Sequence, residues 1–204
     1  MKILKLVQRT PEWFEARRGK VTGTVLKKVV SSRKDVREGV FYEILAERLM
    51  VSDGSEAEGA MDRGVRLESE AREAFEKKTG KIVEEIGFIQ DGDMGCSPDG
   101  LIRKGKKYTE SVEIKCLNSG SHVRAWLTNE VPEEHMPQII QAFIVNPDLK
   151  TMHMVFYDPR IKQHPLHTIK VERENVANTI SEYKKAEAEF LEKVDEAMSK
   201  IVKL

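Results

Sequence analysis

The chain has 204 residues, of which 40% are apolar and 33% are charged, with 34 basic and 34 acidic residues balancing each other. This composition is typical of a globular protein and excludes a disordered chain, and the short apolar runs exclude a membrane-spanning helix. Because the net charge is zero, a phosphate-rich partner would have to meet a local basic surface. The two cysteines, Cys96 and Cys116, are too few for an iron–sulfur cluster. We expect both to be reduced and buried on core strands.

Four helices are predicted in the first part of the chain. Their signals are helix-start residues such as Thr10-Pro11 and apolar residues that recur at helical spacing. The predicted helices run from about Thr10 to Gly19, Gly23 to Val30, Val36 to Met50 and Met61 to Thr79. The segment Val51–Glu58 is polar and is predicted to be mobile.

The second part of the chain is predicted to contain a sheet and further helices. The predicted strands are Ile82–Gln90, Met94–Ser97, Ser111–Leu117, Thr151–Tyr157 and His167–Glu172. The predicted helices are Ser121–Thr128, Glu133–Val145 and a long one from Asn175 onward. This order indicates an α/β fold with a central mixed sheet, one helical crossover and flanking helices. No repeat or linker interrupts it, so we predict one domain over residues 1–204.

The most informative residues are Asp99, Glu113 and Lys115. Side chains alternate on a strand, so Glu113 and Lys115 should share one face while Ile114 points into the core. Asp99 returns to the same place if residues 101–112 form a hairpin. Two carboxylates and one lysine at one sheet edge make a site for a hard divalent cation and a charged substrate.

These residues also carry a family resemblance. Pro98-Asp99 followed by Glu113-Ile114-Lys115 matches the pattern of the restriction-endonuclease-like, or PD-(D/E)xK, nuclease superfamily. Several longer blocks resemble the phage lambda exonuclease family, also called the YqaJ-type viral recombinase nucleases. The blocks are Glu12–Thr22, Cys96–Leu101, Glu113–Cys116, the helix with Gln138, and Tyr157–Arg160. They occur in the family's order between residue 13 and about residue 200.

The resemblance and the chemistry imply the same metal site. Asp99, Glu113 and the carbonyl of Ile114 are oxygen ligands that suit one or two Mg²⁺ ions, and Mn²⁺ could replace them. Lys115 would orient or deprotonate the attacking water, or neutralise charge in the transition state.

Two helical residues complete the implied catalytic set. Gln138 aligns with a family glutamine that positions water or supports a ligand. A family glutamate aligns with Glu68, which would lie near the metals, either directly or through water. Alternatively, Glu68 is one more solvated charge on an acidic helix.

A second site is implied near the N-terminus. In the family, an arginine and a serine hold the terminal 5′-phosphate of DNA, and they align with Arg17 and Thr24. The threonine keeps the hydroxyl, and free N–H groups at the start of the Gly23 helix would add donors. Arg33 lies in a predicted loop, where it either contacts DNA or is a solvated charge.

The resemblance implies a magnesium-dependent exonuclease that degrades one strand of linear double-stranded DNA. Digestion would run 5′ to 3′, release mononucleotides and leave a 3′ overhang for recombination by strand annealing. The implied assembly is a ring-shaped homotrimer around DNA ends, with a single-strand annealing protein as partner. The implied setting is the cytoplasm of a bacterial host that carries a phage or prophage.

Two alternatives stay open at this point. A PD-(D/E)xK endonuclease would share the metal site but would have no use for Arg17 and Thr24. A non-catalytic DNA-binding module would share the fold, although it would be free to lose Asp99, Glu113 and Lys115.

Overall fold

The structure is a computed structural model that describes residues 1–49, 62–116 and 118–202. The helices are α1 (Pro11–Arg17), α2 (Gly23–Val29), α3 (Lys34–Leu49), α4 (Asp62–Thr79), α5 (Ser119–Thr128), α6 (Met136–Val145) and α7 (Ala177–Val202). The strands are β1 (Lys2–Leu4), β2 (Phe88–Asp91), β3 (Met94–Cys96), β4 (Gly100–Lys104), β5 (Lys107–Lys115), β6 (Thr151–Tyr157) and β7 (Leu166–Glu172). The segment predicted to be mobile, Val51–Glu58, lies outside the described residues. Within the described ranges, no helix is both long enough and apolar enough to cross a bilayer.

The strands form two sheets. A three-stranded antiparallel sheet has the order β1-β2-β3, and a four-stranded sheet has the order β4-β5-β6-β7. In the larger sheet β5 and β6 are parallel, while the other neighbours are antiparallel. Helices α5 and α6 connect the parallel pair, as such a crossover requires. The predicted mixed sheet flanked by helices is therefore confirmed, while the prediction of one domain over residues 1–204 stays a prediction.

The beginning of the sheet differs from the prediction. The predicted strand Ile82–Gln90 was wrong over its first part, because the strand begins only at Phe88 and pairs with the unpredicted β1. Before it, Glu84 alone bridges the larger sheet, through two backbone hydrogen bonds of 2.8 Å with Leu101. The segment from 82 to 90 is thus divided between the two sheets.

The hairpin and the cysteines can also be compared with the prediction. The hairpin expected over residues 101–112 is present as β4 and β5, whose register pairs Gly100 with Val112. Both cysteines are free thiols. Cys96 is buried at the end of β3, as predicted. Cys116 follows β5 and is only half-buried, so its predicted place on a core strand was wrong.

Helices cover both faces of the four-stranded sheet. On one face, α6 and β6 share a core that includes Ile139, Phe143, Met152, Met154 and Phe156. On the other face, α4 packs against β5 and β6 in a core that includes Ala71, Phe75, Val112, Ile114 and Val155. Because successive side chains of a strand alternate between faces, Glu113 points away from the α4 core. A third core joins α2, α3, α6 and α7 and fixes α2 against α6.

Candidate active site

The end of β5 brings the predicted carboxylates and lysine together. Ile114 packs into the α4 core, and Nζ of Lys115 donates a hydrogen bond of 2.8 Å to Oε1 of Glu113 on the opposite face. Asp99 immediately precedes β4, and its Oδ2 accepts a hydrogen bond of 2.6 Å from the backbone N–H of Ile114. The alternation along β5 and the hairpin therefore place Asp99, Glu113 and Lys115 at one sheet edge, as the sequence predicts.

Gly100, which directly follows Asp99, lies at a point where the backbone passes very close to Val83. A Cβ atom at this position would lie 2.1 Å from Cγ1 of Val83, which is too close for any side chain. The Gly100 carbonyl accepts a hydrogen bond of 3.1 Å from the buried hydroxyl of Ser111. The Ser111 hydrogen bond holds the start of β4 against β5 and so helps to keep Asp99 beside Ile114.

The electrostatics of the edge favour a cation. Burial raises the pKa of Asp99 well above its usual range, and the charges of Glu113 and Glu68 raise it further. The hydrogen bond from Ile114 and the charge of Lys115 oppose this rise only in part. For Lys115, burial works to lower the pKa, but the charge and hydrogen bond of Glu113 outweigh it, so the pKa is raised. The site thus holds crowded carboxylates beside a lysine that remains an ammonium.

The donors at this edge fit a magnesium ion. In the described part of the chain, no three His, Cys, Asp or Glu side chains are grouped so that they could hold a metal ion. Mg²⁺ does not need such a group, because it keeps several waters and takes one or two carboxylates together with substrate phosphate. Asp99, Glu113 and the Ile114 carbonyl are oxygen donors of this kind.

Glu68 lies on α4 and is mostly buried, with 18% of its side chain exposed. Its Oε2 accepts from Arg9 at 3.2 Å and its Oε1 accepts from Arg72 at 3.3 Å. Glu68 and Asp99 line one cavity of about 450 Å³, and the Glu68 charge acts on both Asp99 and Lys115. Glu68 is therefore placed beside the carboxylates rather than on a solvated face of its helix.

The residues aligned with the 5′-phosphate site line a second cavity, of about 40 Å³. Arg17, Thr24, Glu113 and Gln138 all contribute to its wall. Thr24 reaches it because α2 lies very close to α6, where a Cβ on Gly23 would be only 2.9 Å from Cα of Gln138. A guanidinium, a hydroxyl, a carboxylate and a side-chain amide thus line a single small space.

Arg17 is held rigidly in this cavity. Its guanidinium carbon lies 4.2 Å from the centre of the Trp13 ring, and its Nη1 donates a hydrogen bond of 2.6 Å to Oγ of Ser97. Burial lowers the pKa of Arg17 to about 10, so the side chain stays charged near neutral pH. A buried and oriented guanidinium is suited to a phosphate group, which it can bind with two hydrogen bonds.

Ser97 is a site residue that the sequence argument missed. It lines the same cavity, and its Oγ accepts from Arg17 and, at 3.1 Å, from Nε1 of Trp13. The Trp13 indole also donates to the Gly87 carbonyl at 2.8 Å, so the ring acts as a fixed wall for Arg17. Ser97 directly precedes Pro98-Asp99, and this adjacency is the one signal that could have indicated it.

Arg33 is not brought to these cavities by any contact that the structure shows. It lies just before α3, beyond the end of α2 opposite to Thr24, and its side chain is 70% exposed. Both guanidinium contacts go to the carboxylate of Asp35. Its predicted role as a DNA contact stays a prediction.

Comparison with known proteins assigns this fold and site to a family. The sequence profile of the YqaJ-like viral recombinase domain matches residues 12–147, about two thirds of the chain. The chain therefore belongs to the YqaJ-like viral recombinase family, which confirms the predicted lambda exonuclease type. No curated protein matches the chain by sequence.

Solved structures support the same assignment. The alkaline exonuclease LHK-Exo from Laribacter hongkongensis is 28% identical, with a TM-score of 0.80 over 95% of this chain and 97% of that chain. LHK-Exo in complex with dAMP gives a TM-score of 0.79 at 28% identity, over 94% and 96% of the two chains. A phage related exonuclease from Haemophilus somnus 129PT is 13% identical, with a TM-score of 0.55 over 89% of this chain and 96% of that chain, and it shares the fold alone.

Proposed function

We propose that this chain is a magnesium-dependent 5′-to-3′ exonuclease that digests one strand of linear double-stranded DNA to mononucleotides. The 3′ overhang that it leaves would serve recombination by strand annealing. The observation that carries the proposal is that Arg17 and Thr24 line the same cavity as Glu113. In this proposal, a site for the terminal phosphate would lie directly beside the carboxylates that would support cleavage.

The catalytic residues have separate tasks. Asp99, Glu113 and the Ile114 carbonyl would hold Mg²⁺, which when bound polarises the scissile phosphate and lowers the pKa of the attacking water. The Lys115 ammonium lies on the same face and stabilises the negative charge that develops on the phosphate. Gln138 faces the shared cavity, where its amide can orient a water by hydrogen bonding.

The substrate-binding residues set where the strand is cut. Arg17 would bind the terminal 5′-phosphate through its guanidinium, and the Ser97 and Thr24 hydroxyls would add hydrogen bonds. Because Arg17 is fixed by Trp13 and Ser97, the end of the strand is held at a constant place relative to Glu113. Cleavage measured from a fixed end would release one nucleotide at a time.

The structural relatives agree with this substrate class. LHK-Exo is an alkaline exonuclease and has been captured with dAMP. dAMP is a deoxynucleoside monophosphate, which is the class of product that digestion to mononucleotides releases. This relationship favours the exonuclease over the endonuclease and over the non-catalytic DNA-binding module.

The proposal includes an assembly and a setting. A chain without net charge should hold DNA weakly and lose it as salt rises. A homotrimer ring closed around the duplex would keep hold of it by topology. Light scattering should then give about three times the mass of one chain, whereas a monomer would contradict the ring. The proposed partner is a single-strand annealing protein, in the cytoplasm of a bacterial host of a phage or prophage.

The test uses one duplex in linear and in closed circular form. The proposal predicts that the linear form is digested with Mg²⁺ or Mn²⁺, that the circle resists, and that excess EDTA stops digestion. An endonuclease would cut the circle, and a DNA-binding module would bind the linear form without cutting it. Robust cleavage in EDTA would overturn the metal dependence.

A further inference from the structure

Arg9 has a backbone conformation that arginine rarely adopts. Its φ angle is 68°, in the left-handed region that favours glycine. Among the described residues, the other non-glycine residue with a positive φ is Asn129, at 52°. Asn129 terminates α5, where asparagine is common. Arg9 lies in the turn between β1 and α1, one residue before the N-cap of α1, where glycine would adopt this backbone without strain, so the presence of an arginine side chain calls for an explanation.

The ion pair that Arg9 forms does not explain this conformation, because it adds little to the stability of the folded protein. Nη2 of Arg9 contacts Oε2 of Glu68 at 3.2 Å, while 47% of the Arg9 side chain remains exposed. Exposed ion pairs contribute little to stability, and a left-handed backbone costs a comparable amount. Arg72 already binds the other oxygen of Glu68. Strained residues of this kind concentrate at functional sites.

The position of Arg9 is fixed beside the metal-site carboxylates. The neighbouring Gln8 donates a hydrogen bond of 3.0 Å to the carbonyl of Pro98, the residue that precedes Asp99. Lys5, Gln8, Arg9 and Asp99 all line the cavity of about 450 Å³. This cavity and the Arg17 cavity have no lining residue in common. Pro98 lines the Arg17 cavity and Asp99 lines the larger one, so the Pro98-Asp99 pair lies between two spaces that both have arginine side chains in their walls.

The charges of the larger cavity change when a metal binds. Its three basic residues, Lys5, Arg9 and Arg72, are matched by three acidic ones, Glu68, Glu85 and Asp99. Arg72 pairs with both Glu68 and Glu85. A divalent cation held by Asp99 and Glu113 would offset the charge of Asp99, which leaves this cavity with one positive charge in excess.

We propose that Arg9 binds a backbone phosphate of the digested strand, on the 3′ side of the scissile bond. The inference rests on the proposed exonuclease function. With the terminal phosphate in the Arg17 cavity and the scissile phosphate at Asp99 and Glu113, the strand continues past Asp99. The cavity that borders Asp99 there is the one that holds Arg9, whose guanidinium can exchange Glu68 for a phosphate.

Arg9→Gly is the decisive variant, because glycine suits the left-handed backbone and so preserves the fold. Binding of a fluorescent duplex with a 5′-phosphate is measured in Ca²⁺, and kcat and KM are measured in Mg²⁺. The loss of one phosphate contact should weaken binding about tenfold and reduce the slope of log K against log salt by about 0.7–0.9. The melting temperature should be unchanged or higher, and kcat should stay within about twofold.

Two controls accompany this variant. Asn129→Gly relieves the same kind of backbone strain at the end of α5 and should leave DNA binding unchanged. Arg9→Lys keeps the strain and the positive charge, and should retain most of the affinity. Unchanged binding in Arg9→Gly, whether with wild-type turnover or with a lower kcat and a higher Mg²⁺ requirement, would overturn the inference. A wild-type protein that neither binds nor cuts linear duplex would overturn the proposed function as well.

Discussion

Replacing Asp99 with asparagine removes one charge from the crowded carboxylates while keeping the local hydrogen bond. The asparagine oxygen can still accept from the Ile114 N–H, which now contacts Oδ2 of Asp99 at 2.6 Å. The substitution therefore separates the electrostatic role of Asp99 from its structural one. In the metal-free protein we expect the Asp99→Asn variant to be at least as stable as the wild type.

The direction of this stability difference follows from the raised pKa of Asp99. Burial and the charges of Glu113 and Glu68 make the ionised form costly in the folded protein. A group whose pKa is raised by folding contributes stability below its unfolded pKa, and that contribution is lost as pH rises through the folded pKa. As pH rises from the unfolded pKa of Asp99 through its folded pKa, the metal-free wild type should therefore lose stability. The asparagine variant has no carboxyl group at this position and should not show that loss.

Magnesium should make the wild type the more stable of the two proteins. A ligand at about ten times its Kd stabilises the state that binds it by about 1.4 kcal/mol. For a chain of this size that corresponds to a rise in melting temperature of about 3–6 °C. The wild type should show this rise, and the Asp99→Asn variant should show little of it. Thermal melts in EDTA and in MgCl₂, without DNA, measure both effects.

Asp158→Asn is the matched control, because the same substitution should there have the opposite effect. Asp158 is fully buried, and hydrogen bonds from Arg160, with help from Ser119, lower its pKa. Its loss should destabilise the protein by about 2 kcal/mol with or without Mg²⁺. If Asp99→Asn were as destabilising in EDTA as Asp158→Asn, or kept the full magnesium shift, the reasoning about the carboxylates would be refuted.

Two other substitutions test the site and the core. Lys115→Ala should lower turnover by at least about a hundredfold with little change in DNA binding, and a parallel loss of both would make Lys115 a docking residue instead. Glu187 is fully buried, and burial raises its pKa from 4.5 to about 7 against the opposing hydrogen bond from Gln141. Its stabilising contribution is therefore lost as pH rises through about 7, by up to about 3 kcal/mol. Melting curves should show Glu187→Gln gaining on the wild type from about pH 4.5 to about pH 7, with little further change above that range, and Glu189→Gln, at an exposed position of the same helix, is the control.

The local parts of the fold could be predicted from the sequence. The alternation along Glu113-Ile114-Lys115 and the hairpin that returns Asp99 depend on neighbouring residues, and the structure shows both. The strand β1 could not be predicted in this way, because it has three residues and pairs Lys2 with Gln90 from a distant part of the chain. Pairing at that distance leaves no local pattern.

The site was predictable to a similar extent. Arg17 and Thr24 followed from family motifs, and the structure places both in one cavity. Ser97 and Arg9 were missed because a single hydroxyl and a single surface charge carry no periodic signal. Their importance comes from the tertiary fold, which places Ser97 against Arg17 and gives Arg9 a left-handed backbone.

The central claim is that this family member recognises the 5′-phosphate at the end of a duplex and cuts from there. The most direct measurement compares initial rates on one linear duplex that carries either a 5′-phosphate or a 5′-hydroxyl. We expect the phosphate end to be digested about ten to a hundred times faster, because a buried charge-assisted contact contributes about 1.5–3 kcal/mol. Arg17→Ala should remove most of this preference, and Thr24→Val should reduce it by less. Equal rates on the two ends by the wild type would contradict the account.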